Sequence, residues 1–121
     1  MRKIAFISAL LLSAAPVQAQ SVGGADAVQI KAMGSMMLAG ALEGYCPTWS
    51  VNVQAVNALM VRSRLKTSDL NPGGRFSFVM GSVSKWVEER IASLVVKDYC
   101  LAAEASFGAE GSVEPNLMRK R

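Results

Sequence analysis

The 121-residue chain contains no histidine, and this absence excludes several chemistries at once. Serine–histidine and cysteine–histidine nucleophile pairs, histidine acid–base catalysis and most zinc sites all need an imidazole. The chain also shows no pair of carboxylates that could perform acid–base catalysis in place of an imidazole. Glu88 and Glu89 are adjacent, so on a helix they point about 100° apart, whereas a glycosidase pair converges across its substrate. The sequence therefore predicts a protein that is not an enzyme and holds no metal or cofactor.

Long apolar runs are scarce, and the clearest one lies at the N-terminus. Arg2 and Lys3 precede an apolar run over residues 4–12, and residues 17–19 (Val-Gln-Ala) have the small-x-small form of a signal-peptidase site. The run is shorter than the roughly 20 residues that a membrane-spanning helix needs. We predict a signal peptide over residues 1–19, a mature chain without a transmembrane segment, and a periplasmic or secreted location.

Cysteine is nearly absent as well, since the chain has only Cys46 and Cys100. In an oxidising compartment an even number of cysteines favours a disulfide, and the two are too far apart for a Cys-x-x-Cys redox motif. We predict a structural bond between them. It would close a loop of about 55 residues and contribute about 4 kcal/mol in the chain-entropy model.

Charge of one sign does not dominate the folded part of the chain. Of the 13 basic residues, Arg2 and Lys3 leave with the signal peptide and three more occupy positions 119–121, against 9 acidic residues. The remaining charge is nearly balanced, which argues against a nucleic-acid partner, because such proteins concentrate basic residues on one face. The basic C-terminus is predicted to be solvated, with weak contact to anionic lipid or glycan as the alternative.

The sequence between these ends has helical periodicity and no sustained alternation of apolar and polar residues. Asp26 can cap a first helix, in which apolar residues recur at spacings of three and four until Gly44. A second helix is predicted to begin near Ser50 or Asn52, which are both suitable caps, and to run to about Leu65.

Residues 67–74 are predicted to form a loop, because they combine Ser, Asp, Asn, Pro and two Gly. A third helix follows from about Arg75, with a break predicted near Ser93 or Lys97. The pair Phe107-Gly108 predicts a helix end with the glycine in the left-handed conformation.

These elements predict an all-α fold, a small bundle of three or four helices stapled by one disulfide. The predicted organisation is a signal peptide (1–19), a flexible leader (20–25), a helical domain (26–111) and a mobile basic tail (112–121).

Methionine is abundant, with seven copies, and its flexible side chain suits either irregular core gaps or an adaptable apolar surface. An ordinary core is one interpretation, and an apolar groove is the other. A Cu(I) site of thioethers at positions 33, 36 and 37 is a third, but such sites often add histidine or further methionines. The residues of the predicted groove are Met33, Met36, Met37, Met60 and Met80.

The two tryptophans are predicted to pack in the core or against the disulfide. Trp86 is placed on the third helix, and an exposed Trp49 would instead indicate a contact surface.

Two motifs surround the cysteines, Cys-Pro-x-Trp at residues 46–49 and Cys-x-x-Ala-x-x-x-Phe-Gly at residues 100–108. They resemble signatures of a family of uncharacterised small exported bacterial helical proteins with one long-range disulfide. In architecture the chain is also similar to the HdeA-type periplasmic acid-stress chaperones. That resemblance implies a helical fold and carries no functional residue over to this chain.

We predict from the sequence an exported binding module that acts through protein–protein contact, with another envelope protein as its partner. A carrier of a small apolar ligand or lipid, or a periplasmic chaperone, is the alternative. A cavity or open groove would favour the carrier, whereas a solid core with an exposed apolar patch would favour protein contact.

Overall fold

The computed structural model describes residues 23–94 and 98–121, which form five helices and two short strands. The prediction of a mostly helical fold with one disulfide, Cys46–Cys100, is confirmed. The predicted signal peptide lies outside the described residues. In chain order the elements are α1 (Ala27–Tyr45), β1 (Trp49–Val51), α2 (Val53–Arg62), α3 (Thr67–Leu70), α4 (Ser77–Ala92), α5 (Tyr99–Phe107) and β2 (Met118–Lys120).

Helix α1 is the central element and contacts α4, α5 and β1. Its start is closed by a capping box. The Asp26 carboxylate accepts the backbone N–H of Gln29 at 2.9 Å, and the Gln29 side chain accepts the N–H of Asp26 at 3.2 Å. The predicted cap at Asp26 is therefore confirmed. The helix ends at Tyr45 because Pro47 follows directly after the capping residue Cys46.

The C-terminal segment corrects the all-α prediction. Strand β2 pairs antiparallel with β1, placing Trp49 opposite Lys120 and Val51 opposite Met118. Leu117 and Met118 are each only 1% exposed. Residues 112–121 are therefore not a mobile tail, and the folded unit extends beyond residue 111. A three-residue strand is too short to show an alternating pattern, which is why periodicity did not indicate it.

The second helix begins where predicted, after Asn52, whose side chain accepts the N–H of Ala55 at 3.4 Å. It ends at Arg62 rather than near Leu65, since Arg64 adopts a left-handed backbone conformation with φ of 60°. The predicted loop over residues 67–74 contains the single-turn helix α3. Asp69 stabilises that turn by accepting the N–H of Lys66 at 2.9 Å.

The predicted break in the last long helix is confirmed at Ser93, which caps α4. Helix α5 begins after Asp98, whose carboxylate accepts the N–H of Leu101 at 3.0 Å. Helix α5 ends at Phe107-Gly108 as predicted, but Gly108 is not left-handed, since its φ is −74°. Glycine is needed there for close packing, because a Cβ would lie 2.7 Å from the Glu104 carbonyl oxygen.

The core brings both ends of the described chain together. Ala25, predicted to belong to a flexible leader, is fully buried. Among the described residues no helix has the length and apolar character needed to cross a membrane. The largest side chains that are almost completely buried are Phe76, Phe107, Met33, Leu42, Leu117 and Met118.

Candidate functional site: a groove between three helices

A groove with a volume of about 790 Å³ runs between α1, α4 and α5. This volume lies within the range of about 300–1,000 Å³ that is usual for small-molecule sites. Most of the described residues that line it have apolar side chains, and the polar ones are four serines and two cations. The groove therefore has the composition of a binding site for a largely apolar molecule.

One wall is a stripe along α1 in which every fourth residue faces the groove. Ile30, Gly34, Leu38 and Leu42 follow this spacing, and Ser35 lies beside them, only 3% exposed. Residues four apart lie on the same face of a helix, so the spacing explains why they share one wall. Gly34 is buried, because the Trp86 ring of α4 lies against the helix backbone at this position.

The second wall is formed by α4, in which Val79, Val83 and Trp86 face the groove. Trp86 is 46% exposed, so the indole has one surface in the groove and another in solvent. The Arg90 guanidinium carbon lies 5.9 Å from the centroid of the Trp86 ring, within cation–π distance. Side chains on a helix point back towards its N-terminus, which brings Arg90 over the residue four positions earlier.

The third wall is α5, where Ala102 and Ser106 face the groove. The disulfide holds this wall in place, because it joins Cys46, directly after α1, to Cys100 in the first turn of α5 with a Cα–Cα distance of 5.0 Å. The Thr48 hydroxyl lies 3.4 Å from the Cys46 sulfur and 3.5 Å from the Cys100 sulfur.

The aromatic residues preceding the two cysteines reinforce the same junction. The rings of Tyr45 and Tyr99 stack with their centroids 4.6 Å apart and their planes at 23°. Stacked aromatic pairs contribute about 0.5–1.5 kcal/mol beyond the area that they bury. The bond and the ring stack together fix the end of α1 against the start of α5, next to the groove.

The charged side chains that line the groove are all of one sign among the described residues. Among the described residues that line it, Lys31 from α1 and Arg90 from α4 are the only charged ones. Neither forms an ion pair within the described part of the chain. The nearby acidic residues of α4 and α5, Glu88, Glu89 and Glu104, lie on the same helices but outside the lining.

The five methionines of the predicted groove do not line this one. Met33 is completely buried in the core, so it presents no surface to a ligand. The other four, Met36, Met37, Met60 and Met80, are partly buried and pack against the core. Their arrangement corresponds to the ordinary-core interpretation, because flexible thioether side chains fill its margins.

The tryptophans differ from each other. Trp49 is 8% exposed and packs near Gly108, where an added Cβ would lie 3.3 Å from its ring, so the prediction of a packed Trp49 is confirmed. The same prediction is wrong for Trp86, which is half-exposed at the groove. A sequence signal was present, since Trp86 and Arg90 are four residues apart on one helix and form a recognisable aromatic–cation pair.

A second cavity, of about 490 Å³, has a different character and is lined by polar and charged side chains. Its arginines are already paired, Arg64 with Asp26 at 2.8 Å and Arg75 with Asp69 at 3.4 Å. The Arg64 guanidinium hydrogen-bonds the Asp26 carboxylate, and together with the Gln29 backbone N–H it holds the pKa of Asp26 below its ordinary range. The ion pairs and hydrogen bonds around this cavity connect the start of α1 to the α2–α3 loop.

Within the described residues, no three histidine, cysteine, aspartate or glutamate side chains are grouped so that they could hold a metal ion. Comparison with known proteins finds no matching family model, no matching curated protein and no matching solved structure. The similarity to HdeA-type chaperones therefore stays a prediction. The groove itself is the basis for a functional proposal.

Proposed function

We propose that this protein is an exported, non-catalytic binding protein that holds an apolar ligand in the groove between α1, α4 and α5. The observation that carries the proposal is an apolar groove of about 790 Å³ in which a disulfide joins the α1 wall to the α5 wall. A preformed apolar cleft of this size buries a small molecule without first reorganising the protein. The absence of histidine from the chain supports binding rather than catalysis.

Helical walls suit such a ligand for a further reason. Their backbone N–H and C=O groups are used within the helices, so the groove offers few hydrogen-bonding groups to an extended peptide. An alkyl chain or ring system needs none. The match between an apolar wall and an apolar ligand thus requires no unsatisfied polar group on either side.

Titration with a neutral fluorescent probe, 1-N-phenylnaphthylamine, tests the proposal. We expect saturable binding to the mature protein, accompanied by a change in the emission of Trp86, the half-exposed tryptophan of the groove. Ala102→Phe should abolish saturable binding, because the added ring would occupy the groove beside α5. Ala105→Phe is the matched control, since Ala105 is exposed on the same helix and does not line the groove.

Two results would contradict the proposed function: no saturable binding by the wild type, or equal binding by both phenylalanine variants. Thermal unfolding of each variant shows whether it is folded under the conditions of the titration. The probe is neutral, so its binding reports the apolar groove without a contribution from charge.

Protein–protein contact, the hypothesis favoured by the sequence, is the second candidate. It is supported by the exposure of large apolar side chains outside the groove, of which Phe78 (80%) and Val61 (78%) are the most exposed. They lie on different helices, and single exposed apolar residues are common on soluble proteins. Phe78→Ser should leave probe binding unchanged while weakening any complex that depends on this surface.

A further inference from the structure

We propose that the natural ligand of the groove is a single-chain amphiphile with an anionic head, a long-chain fatty acid, and that Lys31 and Arg90 bind its carboxylate. This inference rests on the proposed function, because it names the ligand class for the same groove. The inference adds two residues, Lys31 and Arg90, that bind the ligand's head beside the apolar surface that binds its chain.

The first argument is charge complementarity. Both charged side chains that line the groove are cations, and neither is neutralised by an ion pair among the described residues. A ligand that were apolar throughout would leave these cations without a role in binding. An anionic head placed beside them gains charge-assisted hydrogen bonds, which are shorter and stronger than neutral ones.

The second argument concerns where the cations lie relative to the apolar surface. Lys31 is exposed on α1 beside the apolar stripe that starts at Ile30, and Arg90 is exposed on α4 over the ring of Trp86. Long basic side chains keep their charge in water while their stems cover apolar surface. A head bound by these two residues therefore stays at the solvent boundary, while a chain attached to it can enter the groove.

The third argument concerns the rest of the lining. Among the described residues of the lining, the other polar side chains are those of four serines, Ser35, Ser82, Ser93 and Ser106. A carboxylate accepts hydrogen bonds only, and ammonium, guanidinium and free hydroxyl groups can donate them, whereas the Ser93 hydroxyl already donates to the Arg90 carbonyl oxygen at 2.9 Å. A cationic amphiphile would find no carboxylate among the described lining residues and would be repelled by both Lys31 and Arg90.

Competition with 1-N-phenylnaphthylamine at a pH of about 8, where a carboxylic acid is ionised, tests the proposal. Three competitors of equal chain length are compared below their solubility or micelle limits: dodecanoate, dodecan-1-ol and dodecyltrimethylammonium. We expect dodecanoate to compete about tenfold or more better than dodecanol, and the ammonium to compete worst. Salt at about 1 M should reduce the advantage of dodecanoate, because the Debye length is then only about 3 Å and charges farther apart are screened from each other.

The double variant Lys31→Gln, Arg90→Gln should weaken dodecanoate binding about tenfold or more, and should weaken it much more than it weakens dodecanol binding. Lys85→Gln is the matched control, because Lys85 is an exposed cation of α4 that does not line the groove. We expect it to leave dodecanoate binding unchanged. The comparison of the three competitors on wild-type protein needs no variant. It therefore decides whether the groove prefers an anionic head even if the double variant does not fold.

The outcomes separate the two proposals. If no competitor and no probe binds, the proposed function fails and the ligand assignment fails with it. If dodecanol and dodecanoate compete equally, the groove binds apolar ligands but the anionic head is wrong. Equal loss of dodecanoate binding in Lys85→Gln would show diffuse attraction to the protein and would also overturn the roles of Lys31 and Arg90. Self-association that closes the groove, detected by sedimentation without ligand, would overturn both proposals.

Discussion

Trp86 packs against the backbone of α1 at Gly34, where an added Cβ would lie only 3.3 Å from Cζ3 of the indole ring. Contacts this short are tighter than usual, so the indole would have to shift by a few tenths of an ångström. The relationship joins two walls of the groove at one point. It also explains why glycine occupies an interior position of α1 despite the cost of about 1 kcal/mol relative to alanine.

Gly34→Ala should therefore stabilise the protein less than Gly40→Ala does. Gly40 lies in the same helix, is exposed and has no side chain within 4 Å of the position that a Cβ would take, so it reports helix propensity alone. We expect Gly40→Ala to raise the free energy of unfolding by about 0.5–1 kcal/mol. Gly34→Ala should give a smaller gain, measured by urea denaturation, together with a shift in tryptophan emission. Equal gains would contradict the contact.

Loss of the disulfide should lower the free energy of unfolding by about 2–5 kcal/mol. Cys46→Ser, Cys100→Ser and the double variant should lose similar amounts, because each removes the same bond between α1 and α5. Chemical denaturation of all three under non-reducing conditions measures this. We further expect the double variant to protect an unfolding client protein no better than the wild type. Better protection at any pH between about 2 and 7 would instead support the chaperone hypothesis.

Met118→Ala should destabilise the protein by about 2–5 kcal/mol, as expected for truncating a large buried side chain. Met118 is 1% exposed and pairs with Val51 in the sheet. Arg119→Ala is the control, because its neighbour Arg119 is exposed, and such surface changes usually remain within about 0.5 kcal/mol. Similar small effects for both variants would mean that residues 112–121 form a tail after all.

Asp26→Asn should make the free energy of unfolding less dependent on pH in the acidic range. The pKa of Asp26 is lowered mainly by its hydrogen bond with Arg64, so the unfolded chain binds the proton more readily than the folded protein does. The stabilisation is fully present above about pH 4, the ordinary range of aspartate, and is lost as the pH falls through the folded-state pKa. Asparagine still serves as a helix cap, which isolates the effect of the charge.

The stability difference between wild type and Asp26→Asn should be largest near neutral pH and should vanish in strong acid. Denaturation at a series of pH values measures it. Arg64→Gln removes the partner instead and should reproduce most of the change, since Arg64 provides the largest cause of the lowered pKa. A difference that grows as the pH falls would show that the Asp26 carboxylate does not stabilise the fold in its charged form.

The four longer helices and the disulfide were predictable because their determinants are local or compositional. Asp26 and Asn52 cap their helices with their own side chains, and Pro47 stops α1 through a steric clash with its neighbour. The disulfide followed from an even number of cysteines behind a predicted signal peptide, a matter of compartment rather than of geometry. None of these inferences required knowledge of which helices touch.

The candidate site was not predictable in the same way. The methionines were chosen for their chemistry, but burial decided their role, and Met33 lies in the core. The residues that do line the groove, such as Leu38 and Val83, look like ordinary core positions in a helical pattern. Periodicity shows which face of a helix is apolar, and it does not show whether a neighbouring helix covers that face completely.

Local sequence and composition were enough to specify the four longer helices, the caps at Asp26 and Asn52, a break near Ser93 and the cross-link, since each depends on residues close along the chain or on the number of cysteines. Tertiary packing alone decided that residues 118–120 form a strand and that a groove stays open between α1, α4 and α5. Both depend on contacts between distant segments. A strand of three residues acquires its conformation from its partner, and a groove exists only where the packing of three helices leaves space.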